Sequence, residues 1–273
     1  EESLEARDRL ETPALKDLVY RLGTLPALPG TFAAINRLAE SPAATVDDFV
    51  RALEADPAVC GNVLRAVNSA WFGLSRRVST LKEAIALLGV RPLRSLVLTT
   101  ELFGASGTFV ERLRQRALER VAAMPKLTAR AHATHLQDEA TTAAVLADVG
   151  QLLFSLRIPE ESTALYADPL ATGRDRSEAE RRLFGADHAT VGAVLLRLWN
   201  LPPALVDAVA LHHQPRTTPT ADLGALVALA VKLQELGWAR PEAARTLREE
   251  AGELAAAFGV SDLDGLRAAC FPG

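Results

Sequence analysis

Five histidines are the side chains best suited to hold a metal or move a proton near neutral pH: His132, His135, His188, His212 and His213. His132 and His135 stand three apart and would share one face of a helix, a spacing that suits two metal ligands. No third ligand lies near them in the chain, so the pair reads as structural or solvent-facing. The other three gain meaning only from the sequences around them. Several other chemistries find no support. Gly104 and Gly107 are not followed by the Lys-Ser/Thr of a phosphate-binding loop. No Gly-x-Ser-x-Gly elbow occurs, and Ser69, Ser79 and Ser95 have no evident base. The two cysteines, Cys60 and Cys270, form no CxxC pair, which argues against a zinc framework or a disulfide scaffold.

The stretch Asp56–Gly73 organises the first half. Asp56 is a good N-cap, because its carboxylate can accept from first-turn amides, and Pro57 suits the first helical position. Val59, Val63, Ala66, Val67 and Ala70 then recur at helical spacing, and Gly73 can stop the helix in a left-handed conformation. Asn68-Ser69 interrupts the apolar face one turn earlier. The local expectation is that Asn68 bonds the chain around Leu74–Leu81; a partner contact is the functional alternative.

Asp56-Pro57, Leu64-Arg65-Ala66-Val67-Asn68-Ser69-Ala70-Trp71-Phe72-Gly73 and Ala84-Ile85-Ala86-Leu87-Leu88-Gly89 together resemble the signature of the HDOD domain, a bacterial regulatory output domain related to HD phosphohydrolases. Leu25-Pro26-Ala27-Leu28-Pro29 is similar to that family's opening, and the resemblance extends to about Leu236. It makes Asn68, Ser69, Trp71 and Phe72 the interaction candidates.

The second half resembles the metal-binding helices of HD hydrolases with ligands missing. Ala147 stands at the histidine of the paired His-Asp, while Asp148 survives. His188 falls at the next motif histidine, and His212-His213 in the following motif. Val231 occupies the place of the last ligand aspartate, and no histidine occurs at Val121–Ala123, where the first would lie. HD enzymes cluster imidazoles and carboxylates around metals that polarise a phosphoryl oxygen and supply hydroxide. The resemblance therefore implies a remnant pocket of Asp148, His188, His212 and His213, no catalytic residue, no cofactor and no metal. In that pocket Asp148 accepting from an imidazole would satisfy both buried groups.

The periodic segments are rich in Ala, Leu, Arg and Glu and show no strand alternation, so the expected fold class is all-α. Helices are expected over 31–40, from Thr45, over 57–72, 80–88 and 91–103. Further helices are expected over 109–123 with a stop near Pro125, over 126–137, and over 139–157 as one buried rod. Shorter ones follow at 159–166, 177–184, 187–199, up to His212, 220–236, 241–258 and 261–269. Gly104–Thr108 reads as a hinge. The expected organisation is a tail or linker helix at 1–14, an N-terminal lobe at 15–104 and a degenerate HD-like lobe at 105–273. A charged start lacking Met suggests a piece of a longer chain, one joined to an upstream receiver or other input domain.

A formal charge of -4 gives no footprint for non-specific nucleic-acid binding, and the run Arg112, Arg114, Arg116 and Arg120 reads as a solvated helix face. No apolar run of about 18 residues suggests a membrane span, and no signal peptide opens the chain; the expected location is cytoplasmic. The expected function is a non-catalytic signalling output module working through regulatory contacts with signalling proteins. The alternatives are a metal-dependent HD-type phosphohydrolase and a cyclic-dinucleotide phosphodiesterase or sensor.

Overall fold

The computed structural model describes residues 15, 17–18, 22, 28–74, 76–104, 107–213 and 221–272. The tail at 1–14, Leu25–Ala27 of the opening motif, Ala105 and Ser106 of the glycine segment, Gln214-Pro215 and the Trp71 side chain lie outside the described residues. Every regular element among the described residues is helical. The chain divides into two compact units, Pro26–Ala122 and Ala123–Gly273, the latter taking in Glu1–Leu25. This division falls inside a helix, eighteen residues beyond the 104/105 boundary expected from the glycines.

In Pro26–Ala122 the elements are α1 (Gly30–Ala39), α2 (Val46–Glu54), α3 (Pro57–Val67), a 3-10 turn at Ala70–Phe72, α4 (Leu81–Leu88), α5 (Val90–Leu102) and the start of α6 (Thr108–Arg130). α5 is the central rod: Leu93, Leu96, Val97 and Leu98 are buried, and α1, α3 and α4 pack on it. The helix starts follow local chemistry. Thr45 and Asp48 form a capping box on α2, and Asp56 accepts from Ala58 and Val59 at 2.9 and 3.2 Å. α1 begins after Pro29 without a side-chain cap of its own. Glu101 of α5 supplies one from a distance, accepting the amides of Thr31 and Phe32 at 3.0 and 2.7 Å. α3 stops earlier than expected, at Val67, with Asn68 as its C-cap; Gly73, at φ 58°, closes the 3-10 turn instead.

Two expectations about helix ends are corrected. α6 runs through Pro125 as one helix of 23 residues to Arg130. An interior proline costs about 3 kcal/mol, but Val121, Met124 and Leu127 are all buried along this stretch, and that packing outweighs the lost bond. The rod expected over 139–157 is broken into α7 (Gln137–Leu146) and α8 (Val149–Arg157), with Ala147 and Asp148 between them.

The rest of Ala123–Gly273 is α9 (Pro159–Leu165), α10 (Gly173–Phe184), α11 (His188–Leu198), α12 (Pro203–Leu211), α13 (Leu223–Glu235), α14 (Pro241–Ala257) and α15 (Leu263–Cys270). α13 is apolar nearly all round and buried from end to end, which makes it the axis against which α7, α12 and α14 pack. α11 packs between α8 and α12. No helix among the described residues is long and apolar enough to cross a membrane.

Candidate functional site: a buried histidine cluster

The break between α7 and α8 places Asp148 at the head of α8, and Gly150 lets that helix approach α11. A Cβ on Gly150 would lie 2.1 Å from the His188 carbonyl oxygen, so only glycine permits the crossing. His188 opens α11, fixed by Asp187, which accepts from the Thr190 amide at 2.9 Å and the Thr190 hydroxyl at 2.6 Å. His212 and His213 follow the end of α12. Gly173 of α10 makes room for the His213 ring, whose Cε1 lies 1.8 Å from where a Cβ would stand.

These placements gather Asp148, His188, His212 and His213, all buried, with one ligand atom from each lying within 4.8 Å of the others. His188 Nε2 lies 2.9 Å from His213 Nε2, 3.2 Å from Gln151 Nε2 and 3.7 Å from Asp148 Oδ1. Gln151 Nε2 also donates to Asp148 Oδ1 at 3.0 Å. The His212 and His213 rings lie 3.8 Å apart between centroids, with their planes tilted by 49°.

Outer groups fix the orientation of two rings. His188 Nδ1 donates to Glu180 Oε2 at 2.6 Å, and the same oxygen accepts the His188 amide at 2.7 Å. Tyr166 donates its hydroxyl to Glu180 Oε1 at 2.8 Å. His212 Nδ1 donates to the Val209 carbonyl at 2.7 Å. Burial alone would lower the His188 pKa, but Glu180, Asp148 and Asp187 outweigh it and hold the pKa above the ordinary histidine value. Burial and the Glu180 charge push the Tyr166 phenol well above its ordinary value, so this group stays protonated as a donor.

Three imidazoles and a carboxylate are donors of the kind that could hold one divalent ion. Nδ1 of His188 and Nδ1 of His212 are each committed to an outer oxygen acceptor, the kind of partner that ordinarily stands behind a metal-ligating histidine. Ala147 and Val231, the two apolar residues singled out in the sequence, are wholly buried.

His132 and His135 are exposed and belong to no cluster of potential ligands among the described residues. Ser69 is half-buried, its hydroxyl unbonded among the described residues, and Phe72 is half-buried. Glu180, Tyr166, Gln151, Gly150 and Gly173 were not recognisable as site residues from sequence. Glu180 sits on a short, highly charged helix that reads as solvated, yet one face of that helix, Arg176, Ser177 and Glu180, is buried.

Fold and cluster define an all-helical HD-like protein. The chain belongs to the HDOD domain family, whose profile matches residues 25–215. Among solved structures it is similar to a Shewanella amazonensis SB2B protein provisionally named a phosphohydrolase: 26% identity, TM-score 0.69, covering 96% of this chain and 94% of that one. An HDOD domain protein of unknown function from Geobacter sulfurreducens aligns with TM-score 0.69 at 21% identity, over 97% of this chain and 98% of that one. An uncharacterized protein of Treponema pallidum (strain Nichols) is 26% identical over 209 residues, 74% of this chain. The match spans only 40% of that longer protein.

Proposed function

We propose that this chain is a non-catalytic HDOD output module that acts in bacterial signal transduction through regulatory protein contacts. The observation that carries the reading is Ala147, wholly buried beside Asp148 at the place where HD hydrolases carry the paired histidine. Val231, equally buried, adds a second missing ligand. An HD hydrolase needs its metals to activate water and polarise the phosphoryl group, and each lost ligand weakens both tasks. The cluster is then a hydrogen-bonded polar core that fixes α8, α10, α11 and the end of α12 on one another. Within that core the Nε2 atoms of His188 and His213 lie 2.9 Å apart, the distance of an N–H···N bond.

A second reading, one divalent ion held without turnover, is favoured by the committed Nδ1 atoms of His188 and His212. Asp148, His188, His212 and His213 would hold the ion, which would stabilise charge there. Elemental analysis of protein purified without chelator separates the readings. The first expects clearly less than one transition metal per chain; the second expects one. Phosphodiesterase turnover with manganese or magnesium that disappears in Asp148→Ala overturns both.

A further inference from the structure

A cleft of about 550 Å³ opens in Pro26–Ala122, a size typical of small-molecule sites. Asn62 and Arg65 of α3, Thr100 of α5, and Thr108, Glu111 and Arg114 of α6 line it. It shares no residue with the histidine cluster. Arg65 is exposed and makes no side-chain hydrogen bond or ion pair among the described residues. The Asn62 amide and the Thr108 hydroxyl are likewise uncommitted. Among the described residues Arg114 is engaged only by Glu111, through Nε at 3.0 Å and Nη2 at 2.5 Å. Their side chains are 21% and 59% exposed, so Glu111 can turn into water while Arg114 keeps its place. An exposed pair of this kind holds weakly.

The geometry points to a binding site for a phosphorylated small molecule. Guanidinium groups present a planar fork of donors that matches phosphoryl oxygens. Two of them face this cleft, one unpaired and one held by an ion pair that is easily exchanged. Asn62 and Thr108 add neutral donors, and Thr108 opens a 23-residue helix whose N-terminus carries positive partial charge. Glu111 is the counter-charge: with the cleft empty it occupies Arg114, and an entering phosphoryl group takes its place. The chain's signature helix α3 thus carries Asn62 and Arg65 into a site one turn before Asn68.

Isothermal titration of the full chain with ATP and, separately, with pyrophosphate tests this. Saturable binding of at least one probe is expected; tighter ATP binding assigns a nucleotide, equal binding a free diphosphate. Arg65→Ala should weaken the binding at least about tenfold, the ordinary effect of removing a charge-assisted hydrogen bond. Glu111→Gln should tighten it. No saturable heat up to about 1 mM of either probe, or affinity unchanged in Arg65→Ala, overturns the assignment. Should Arg65→Ala melt below the parent protein, Glu111→Gln decides alone, and unchanged affinity there overturns it equally.

Discussion

Asn68 and Val78 bond each other twice. The Asn68 side-chain amide donates to the Val78 carbonyl and its oxygen accepts the Val78 amide, both at 2.8 Å. Asn68 also donates to the Leu64 carbonyl at 2.8 Å, so one side chain closes α3 and pins the loop that leads to α4. The contact falls within the Leu74–Leu81 stretch that the interrupted apolar face pointed to. Asn68→Leu leaves the Val78 groups without these partners and should destabilise by about 1–3 kcal/mol in chemical denaturation. An unchanged midpoint together with lost partner binding would make Asn68 a contact residue instead.

Gly150→Ala should be severe. Its Cβ would meet the His188 backbone, which cannot move without shifting α11. A loss of at least about 1–3 kcal/mol is expected, the ordinary range for overpacking. Gly192→Ala is the control. There the nearest atom is Val149 Cγ1 at 3.2 Å, the end of a side chain, so the loss should be smaller. Equal melting temperatures for the two variants would contradict this account of the helix crossing.

The raised His188 pKa has a defined pH signature in chelator-treated protein. A group whose folded pKa exceeds its unfolded value contributes stability that is fully present below the unfolded value of 6.5 and fades as pH rises through the folded one. Asp187 works in the opposite sense. Burial would raise its pKa, but His188, Thr190 and Arg181 together lower it, so its contribution is present above 3.8 and fades as pH falls through the folded value. Glu180→Gln removes the largest charge raising His188 and should flatten the alkaline decline in melting temperature. A decline as steep as that of the parent protein would assign it to other groups.

The two cysteines should differ in reactivity. Cys270 is buried, and that burial pushes its thiol up to about 11. Cys60 is half-buried on α3. Thiol titration of the native protein at pH 8 should therefore modify Cys60 alone, with Cys270 reacting only after denaturant is added. Two thiols reacting at equal rates in the native state would contradict the packing around α15.

Local chemistry wrote much of this fold into the sequence. Asp56-Pro57, the Thr45–Asp48 box, Thr80 and Asp187 start their helices where they stand, because a cap acts on amides two or three residues away. Family motifs named Asp148, His188, His212 and His213 in advance, although those motifs say nothing of distance. Only the tertiary structure decided that these four meet. That meeting depends on a helix break at Ala147–Asp148 and on the absence of a Cβ at Gly150 and Gly173, and neither has a local signal. Glu180 was illegible for the same reason: a carboxylate on a charged helix reads as solvated until Tyr166 and His188 arrive to bond it. Pro125 shows the converse, a strong local stop overridden because the buried faces of α6 gain more from continuing than one hydrogen bond costs. The cleft between Arg65 and Arg114 is also purely tertiary, since its two guanidiniums lie 49 positions apart and no spacing rule joins them.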